Sequence, residues 1–382
     1  MQAAHVLDEA AAVTLTGLRP SLTRIMTQAL LLLAALGLTA CASMGPGTVT
    51  RDRFDYTEAV AASWKSQMLL NLVKIRYADA PVFLDVGQVV AGYSIQGTLS
   101  TSGNKFNTEG FSPGALTGSI GLGAEGRYND SPTITYTPLA GETFARQMMM
   151  PIPPSAILTV IQAGLPVDTV FRVAVQAVNG VDNRRVRLDY VRPASPEFYV
   201  LLRDFGRIQD AGDIGVRVDR AEKDERLVFR PNLVAAEENA VLEITKILGL
   251  DPRAREFRVV YGSVPANDKE IALLTRSMVE VLTDLSSVIA VPDAHVTAGR
   301  VAPTPEPDLG PGGPVPPLIR IASSVKRPSD AFVAVPYRGY WFSIDDGDMP
   351  SKHLLSSLMF LFTFVQTGAK EAAPILTIPT TR

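Results

Sequence analysis

Gly118-Ser119-Ile120-Gly121-Leu122-Gly123-Ala124-Glu125-Gly126 is the stretch on which the fold class turns. Within it, Gly121-Leu122-Gly123-Ala124-Glu125-Gly126 has the letters of the glycine-rich turn that cradles a dinucleotide. That turn must open a helix whose N-terminus faces the pyrophosphate. Here Leu116, Gly118, Ile120, Leu122, Ala124 and Gly126 alternate instead, and Asn129-Asp130-Ser131-Pro132 follows. Period-two alternation closed by turn residues is the pattern of a strand, so no phosphate loop is expected.

The same character runs outward from Gly92 to Pro138. Tyr93, Ile95, Gly97 and Leu99 alternate, Asn104 and Pro113-Gly114 interrupt, and Ile134 and Tyr136 continue the pattern. The alternation is only weakly apolar. Such strands can lay one face on a core, or several copies can close into a membrane barrel.

Helices are expected on both sides. Asp55 with Glu58 has the spacing of a capping box, and Val60, Trp64, Met68, Leu72 and Ile75 then form one apolar stripe, ended by Asp79-Ala80-Pro81. Val82 to Val90 reads as a buried strand. Further helices are expected over Gly141 to Ala163 in two pieces split by Pro151, Pro153 and Pro154, over Asp168 to Val178 ending at Asn179-Gly180, over Ser195 to Ile208, and over Ala235 to Leu248. Asn267 with Glu270 predicts a long helix carrying Ile271, Leu274, Met278, Val281, Leu285 and Val288. Ile214 to Val218 and Leu227 to Phe229 predict a hairpin, and Phe257 to Tyr261 a strand. The C-terminal part reads as strands at Leu318 to Val325, Phe332 to Pro336 and Tyr340 to Ile344, a helix at Ser351 to Val365, and a strand at Ile375 to Ile378. The sum is an α+β fold with mostly antiparallel strands.

At the other end of the chain, a short apolar run from Ala29 to Leu38 leads into Leu38-Thr39-Ala40-Cys41, and Cys41 is the single cysteine. Ten apolar residues fall well short of the ~20 that span a bilayer, while a short apolar core before small residues is the pattern of a secretory leader. The four residues resemble the lipobox of bacterial lipoproteins. The resemblance implies removal of residues 1–40, acylation of Cys41 with palmitate-type chains, and sorting to the outer membrane with the body facing the periplasm, since Ala42 rather than an Asp follows. Asp8 and Glu9 sit oddly in a leader, so a start between Val13 and Met26 is expected. Beyond a tether at 41–52, the expected organisation is a main domain over 53–300, a Pro/Gly-rich exposed linker over 301–317, and a C-terminal segment over 318–382 that either stands apart or completes the main domain.

A net charge of -3 gives no electrostatic footprint for nucleic acid. One cysteine excludes disulfides within the chain and any thiolate cluster, so no cofactor of that kind is expected.

Three stretches carry a wider resemblance: Arg53-Phe54-Asp55-Tyr56 through Trp64 to Asp79-Ala80-Pro81-Val82-Phe83-Leu84-Asp85; Thr133-Ile134-Thr135-Tyr136-Thr137-Pro138-Leu139 through Pro154; and Tyr337-Arg338-Gly339-Tyr340-Trp341-Phe342 with Asp345-Asp346. They resemble a family of uncharacterised lipoproteins of Gram-negative bacteria. The family implies a location and no activity, so it supplies no catalytic residues.

Reactive side chains are sparse. After the leader only His295 and His353 remain, far apart and without a ligand-spaced partner. Ser323-Ser324-Val325-Lys326 has the letters of a serine-lysine pair, but a strand would set the two on opposite faces. Asp345, Asp346 and Asp348 form the densest acidic group. They read as a tight turn with Asp348 capping the next helix, and as weak metal candidates lacking calcium-loop spacing. Arg184-Arg185-Val186-Arg187, beside Asp182 and Asp189, reads as a solvated face.

The sequence therefore predicts a lipid-anchored envelope protein acting without catalysis, as a binding, scaffold or assembly component with envelope partners or further copies of itself. An oligomeric outer-membrane pore or export component built from the 92–138 strands is the second reading. A hydrolase using Asp345, Asp346 or Ser323 is the third.

Overall fold

The computed structural model describes residues 46–90, 92–105, 118–130, 133–187, 190–219 and 224–366. Cys41 and its leader, and the strand expected at Ile375 to Ile378, lie outside the described residues. The chain divides into two compact units, residues 1–63 and 64–382. Of the first, the described residues are 46–63, the beginning of helix α1 (Pro46–Arg76). Asp55 is thus inside this helix rather than at its cap. No breaker lies between Gly47 and Asp55, so the helix extends back to Pro46, whose fixed φ suits a first turn.

The second unit is an α+β fold. Its first strands are β1 (Phe83–Val90), β2 (Tyr93–Lys105), β3 (Gly118–Asp130) and β4 (Thr133–Leu139). β1 pairs antiparallel with β4, and β2 with β3. They nest into a two-stranded ribbon whose base is β1–β4 and whose arm is β2–β3. Of β1's large apolar residues, Phe83 is buried and Leu84 and Val90 are exposed, so the strand expected to be buried is largely open. A register shift between Val86 and Gln88 places Gly87 against Thr137, where a Cβ would lie 3.2 Å from its Oγ1.

Two short helices follow, α2 (Glu142–Met149) and α3 (Pro154–Gln162), separated by the expected prolines. Helix α4 (Val167–Ala174) is shorter than its sequence pattern suggests, because Val175–Val178 is a fully buried strand, β5. Asn179 and Gly180 then take φ of 45° and 82° and turn the chain into β6 (Val181–Asp182). Asn-Gly here makes a hairpin turn, for which both central residues need positive φ, rather than a helix stop.

A small hairpin, β7 (Arg185–Arg187) and β8 (Tyr190–Arg192), leads to helix α5 (Pro196–Asp210). The expected hairpin is β9 (Ile214–Asp219) with β10 (Asp224–Phe229), and helix α6 (Ala235–Leu248) ends on left-handed Gly249. Strands β11 (Glu256–Tyr261) and β12 (Glu270–Thr275) complete a six-stranded sheet of order β6-β5-β12-β11-β10-β9, in which only β11–β12 is parallel.

β12 overturns the long helix expected after Asn267. Ile271 to Leu274 is a continuous apolar run, which periodicity alone does not assign to helix or strand. In the centre of the sheet it is buried on both faces. The helix starts later, as α7 (Met278–Ser287), on a capping box between Ser277 and Glu280.

The rest comprises a short helix α8 (Asp293–Thr297), a minimal hairpin β13 (Leu309–Gly310) and β14 (Gly313–Pro314), a three-stranded sheet of β15 (Ala322–Ser324), β16 (Ala331–Tyr337) and β17 (Tyr340–Asp345), and helix α9 (Met349–Gln366). Two cores result. Phe198, Phe205, Ile244, Phe229, Phe257 and Leu273 centre the one around the six-stranded sheet. Leu69, Leu72, Leu282, Phe342, Ile344 and Leu355 centre the other, which joins α1, α7, β16, β17 and α9.

Candidate functional site

The β2–β3 arm pairs thirteen residues with thirteen without a register shift, from Tyr93 opposite Asp130 to Lys105 opposite Gly118. Among the described residues neither strand pairs with a third. At ~3.3 Å per residue the arm is on the order of 40 Å long.

The register sorts the residues by face. One face takes Ile95 opposite Tyr128, Gly97 opposite Gly126, Leu99 opposite Ala124, Thr101 opposite Leu122 and Gly103 opposite Ile120. The other takes Ser94 opposite Asn129, Gln96 opposite Arg127, Thr98 opposite Glu125, Ser100 opposite Gly123, Ser102 opposite Gly121 and Asn104 opposite Ser119. Between residues 95 and 103 the first face is apolar or glycine apart from Thr101, with the Tyr93–Asp130 and Lys105–Gly118 pairs at its two ends, and the second is hydrophilic or glycine. At the base of the ribbon Leu84, Ile134 and Tyr136 are exposed, Tyr136 by 54%. The dinucleotide letters at Gly121 to Gly126 fall inside β3, so no helix opens there.

A second feature lies under the Pro-rich segment. This segment was expected as an exposed linker, and much of its outer surface is exposed, but it is tied down along its length. Thr304 Oγ1 donates to the Ile289 carbonyl at 2.8 Å. Asp308 is buried and accepts from the Tyr199 hydroxyl at 2.8 Å and from the Ala194 amide at 3.3 Å. Arg172 Nη2 donates to the Pro316 carbonyl at 2.7 Å. Gly310 passes so close that a Cβ would lie 2.9 Å from Val315 Cγ2 and 3.6 Å from Tyr199.

The segment thereby roofs a cavity of about 300 Å³. Arg172, Asn183, Arg184, Tyr199, Asp284, Thr304 and Asp308 supply its polar lining, and Leu285, Val288, Val315, Leu318 and four prolines its apolar lining. Arg184 is not on a solvated face. Its Nη2 donates to Ser287 Oγ at 3.2 Å, and its Nε stands 3.8 Å from Asp284 Oδ1. Those two atoms are buried without a hydrogen-bond partner.

Behind Asp284 sits Arg276, only 3% exposed, bonded to Asp284 Oδ2 at 3.1 Å and to the carbonyls of Arg172, Val173 and Arg184. Burial and then the bond to Asp308 push the Tyr199 phenol far above its usual value, so it remains a donor. Burial draws Arg172 below the ordinary guanidinium value.

The conspicuous sequence residues have structural partners. His295 is buried, with Nδ1 2.7 Å from the Tyr77 hydroxyl and its ring edge-on to Tyr77 and Tyr340. Burial first, then Arg300 and Arg338, lower its pKa. His353 is exposed. Tyr337 donates to Asp79 Oδ2 at 2.9 Å, clasping two of the stretches that carry the family resemblance.

Asp345 Oδ1 accepts from the Gly347 amide, and Asp346 pairs with Lys352 at 2.7 Å. Asp348 accepts from the Ser351 amide and hydroxyl as the cap of α9. Burial would raise the Asp348 pKa, but the Ser351 bonds and Arg320 outweigh it and lower the value. Among the described residues no group of three His, Cys, Asp or Glu has a metal-holding arrangement. Ser323 lies opposite Phe342 in the sheet, and no hydrogen bond joins it to exposed Lys326. Among the described residues no helix is long and apolar enough to cross a membrane.

Sequence reasoning missed Arg172, Tyr199, Arg276, Asp284 and Asp308. They are far apart in the chain and have no common spacing. A solitary Asp308 among prolines was the one local signal.

Compared with known proteins, the chain matches no family model, no curated protein and no solved structure.

Proposed function

We propose that this chain is a lipid-anchored cell-envelope protein that works by self-assembly, with several copies joining their β2–β3 arms edge to edge into a β-barrel through the outer membrane. The observation that carries the reading is the arm itself: a two-stranded ribbon of thirteen pairs with one apolar face, one hydrophilic face and no third strand among the described residues.

Two strands alone are marginal in water and present unpaired backbone along both edges. Further copies satisfy both edges at once and, on closing, abolish them. Residues 95 to 103 and their partners form the apolar band, nine residues per strand, within the ~9–11 that a tilted transmembrane strand needs. Tyr93 and Tyr128 stand toward one end of it, at the level where barrel girdles carry aromatics. Ser100 and Ser102 opposite glycine, with Gln96 opposite Arg127 and Thr98 opposite Glu125, suit a water-filled lumen. Eight strands are about the fewest seen in such barrels, so four or so copies is the lower bound. Acyl chains on Cys41 would hold each copy at the bilayer before closure, two or more chains giving stable anchoring.

This narrows the wider expectation of a non-catalytic binding, scaffold or assembly component to assembly. The alternative hydrolase reading rests on Asp345, Asp346 and Ser323, of which Asp345 and Asp346 bond within the turn and first residues around the start of α9.

The test is the full lipidated chain extracted in detergent. It should run as a heat-sensitive oligomer and conduct ions in a planar bilayer. Replacing 93–130 by a two-residue turn that closes β1 on β4 should give a folded monomer without conductance. A wild-type chain that stays monomeric and silent, or an arm-deleted chain that still assembles and conducts, would overturn the proposal.

A further inference from the structure

We propose that the cavity beneath the Pro-rich roof binds a small organic monoanion, an apolar body bearing one carboxylate, with the carboxylate received by Arg172 and Arg184. The inference is independent of barrel assembly, and either stands if the other fails.

The first ground is the shape and lining. About 300 Å³ is at the small end of ligand pockets, ~300–1,000 Å³, which are mostly apolar with a few convergent polar groups. Prolines, valines and leucines make up just over half of the residues lining this one, and Arg172 and Arg184 are its cationic groups.

The second ground is the balance of charge. Asp284 is already held by fully buried Arg276 at 3.1 Å. Asp308 is held by the Tyr199 hydroxyl and the Ala194 amide. Within the lining Arg172 and Arg184 face these two carboxylates, of which Asp284 is shared with Arg276 outside the lining, and Asp168, one turn before Arg172 on α4, also lies outside it. Arg172 has no carboxylate within 4.0 Å among the described residues, and its one side-chain bond goes to a neutral carbonyl.

The third ground is geometric. Arg184 Nε is buried without a hydrogen-bond acceptor although its neighbour Asp284 Oδ1 is 3.8 Å away. Buried donors are ordinarily paired, and a planar guanidinium is built to receive a carboxylate. The roof explains how such a ligand would be kept from water: Asp308 and Pro316 latch it on either side of the β13–β14 turn.

The experiment is titration calorimetry and thermal shift on the full detergent-solubilised chain with octanoate and benzoate. Octanol, benzyl alcohol and inorganic phosphate serve as controls. Both carboxylates, or the one that fits, should bind saturably and raise the melting temperature, while the alcohols and phosphate should not. Arg172→Gln should weaken binding at least tenfold with the unliganded circular dichroism spectrum unchanged. Val288→Phe, which keeps both arginines and fills the cavity, should abolish it. Should Arg172→Gln fail to fold, Val288→Phe and the carboxylate-to-alcohol contrast in the wild-type chain still decide. Equal binding of alcohols and carboxylates, binding of phosphate alone, retained binding in Val288→Phe, or no saturable binding of either carboxylate would overturn the proposal.

Discussion

The six-stranded sheet and the β2–β3 ribbon solve the problem of backbone pairing in opposite ways. In the sheet, β11 and β12 sit between neighbours, and Phe257, Ile271 and Leu273 are buried under α5 and α6 residues such as Phe205 and Ile244. In the ribbon each strand has one partner, and every residue of β4 from Thr133 to Pro138 is exposed. Among the described residues the four inner strands of the sheet are paired on both sides, and each ribbon strand is paired on one. Strands rich in valine, isoleucine and phenylalanine specify burial, whereas strands of glycine, serine and threonine with a thin apolar face do not.

The contrast can be broken most severely at its centre. Phe257→Ala should cost about 3–5 kcal/mol of unfolding free energy, whereas Tyr136→Ala on the exposed base of the ribbon should change it by less than ~0.5 kcal/mol. Urea denaturation of both variants checks this, and equal losses would mean that the ribbon is part of the cooperative core. Of similar size, Asp284→Ala strands buried Arg276 without its carboxylate and should cost about 3–5 kcal/mol.

Leu99→Arg should leave urea stability unchanged but place a charge in the apolar band, at ~2–4 kcal/mol per copy near a bilayer midplane. The heat-sensitive oligomer should then disappear from membrane extracts. An oligomer of undiminished stability would argue that the apolar face never meets lipid.

The capping box offers a smaller effect. Ser277→Ala removes the side-chain acceptor for the Glu280 amide and should cost ~1 kcal/mol.

The smallest effect is expected from pH. Burial depresses the His295 pKa below 6.5, so between the depressed value and 6.5 the unfolded chain binds the extra proton. The contribution is complete above pH 6.5 and is lost as pH falls through the depressed value. Asp79 and Asp348, also depressed, add losses of the same sign at lower pH. The melting temperature of His295→Phe should therefore fall less between pH 7.5 and pH 5 than that of the wild type.

How much of this was legible depended on whether the signal was local. The β3 alternation against the dinucleotide letters, the α6 helix with its Gly249 stop and the proline break before α3 could be read because each rests on neighbouring residues. The helix expected after Asn267 failed because an apolar run in a central strand and one in a buried helix look alike. Arg184 was read as solvated because three arginines in four residues suggest water, and Asp284, a hundred residues later, is what brings it inside. The cavity was illegible for the same reason: its polar groups come from α4, α5, α7 and the roof, and only packing unites them.

The clasp of Tyr337 on Asp79 spans 258 residues of chain, and the ring of Phe362 on α9 lies 4.7 Å, tilted, from that of Phe83. The core shared by α1, α7, β16, β17 and α9 can therefore close only after nearly all of the polypeptide has emerged. High sequence separation of this kind slows folding, and in a nascent chain this core stays open until α9 arrives.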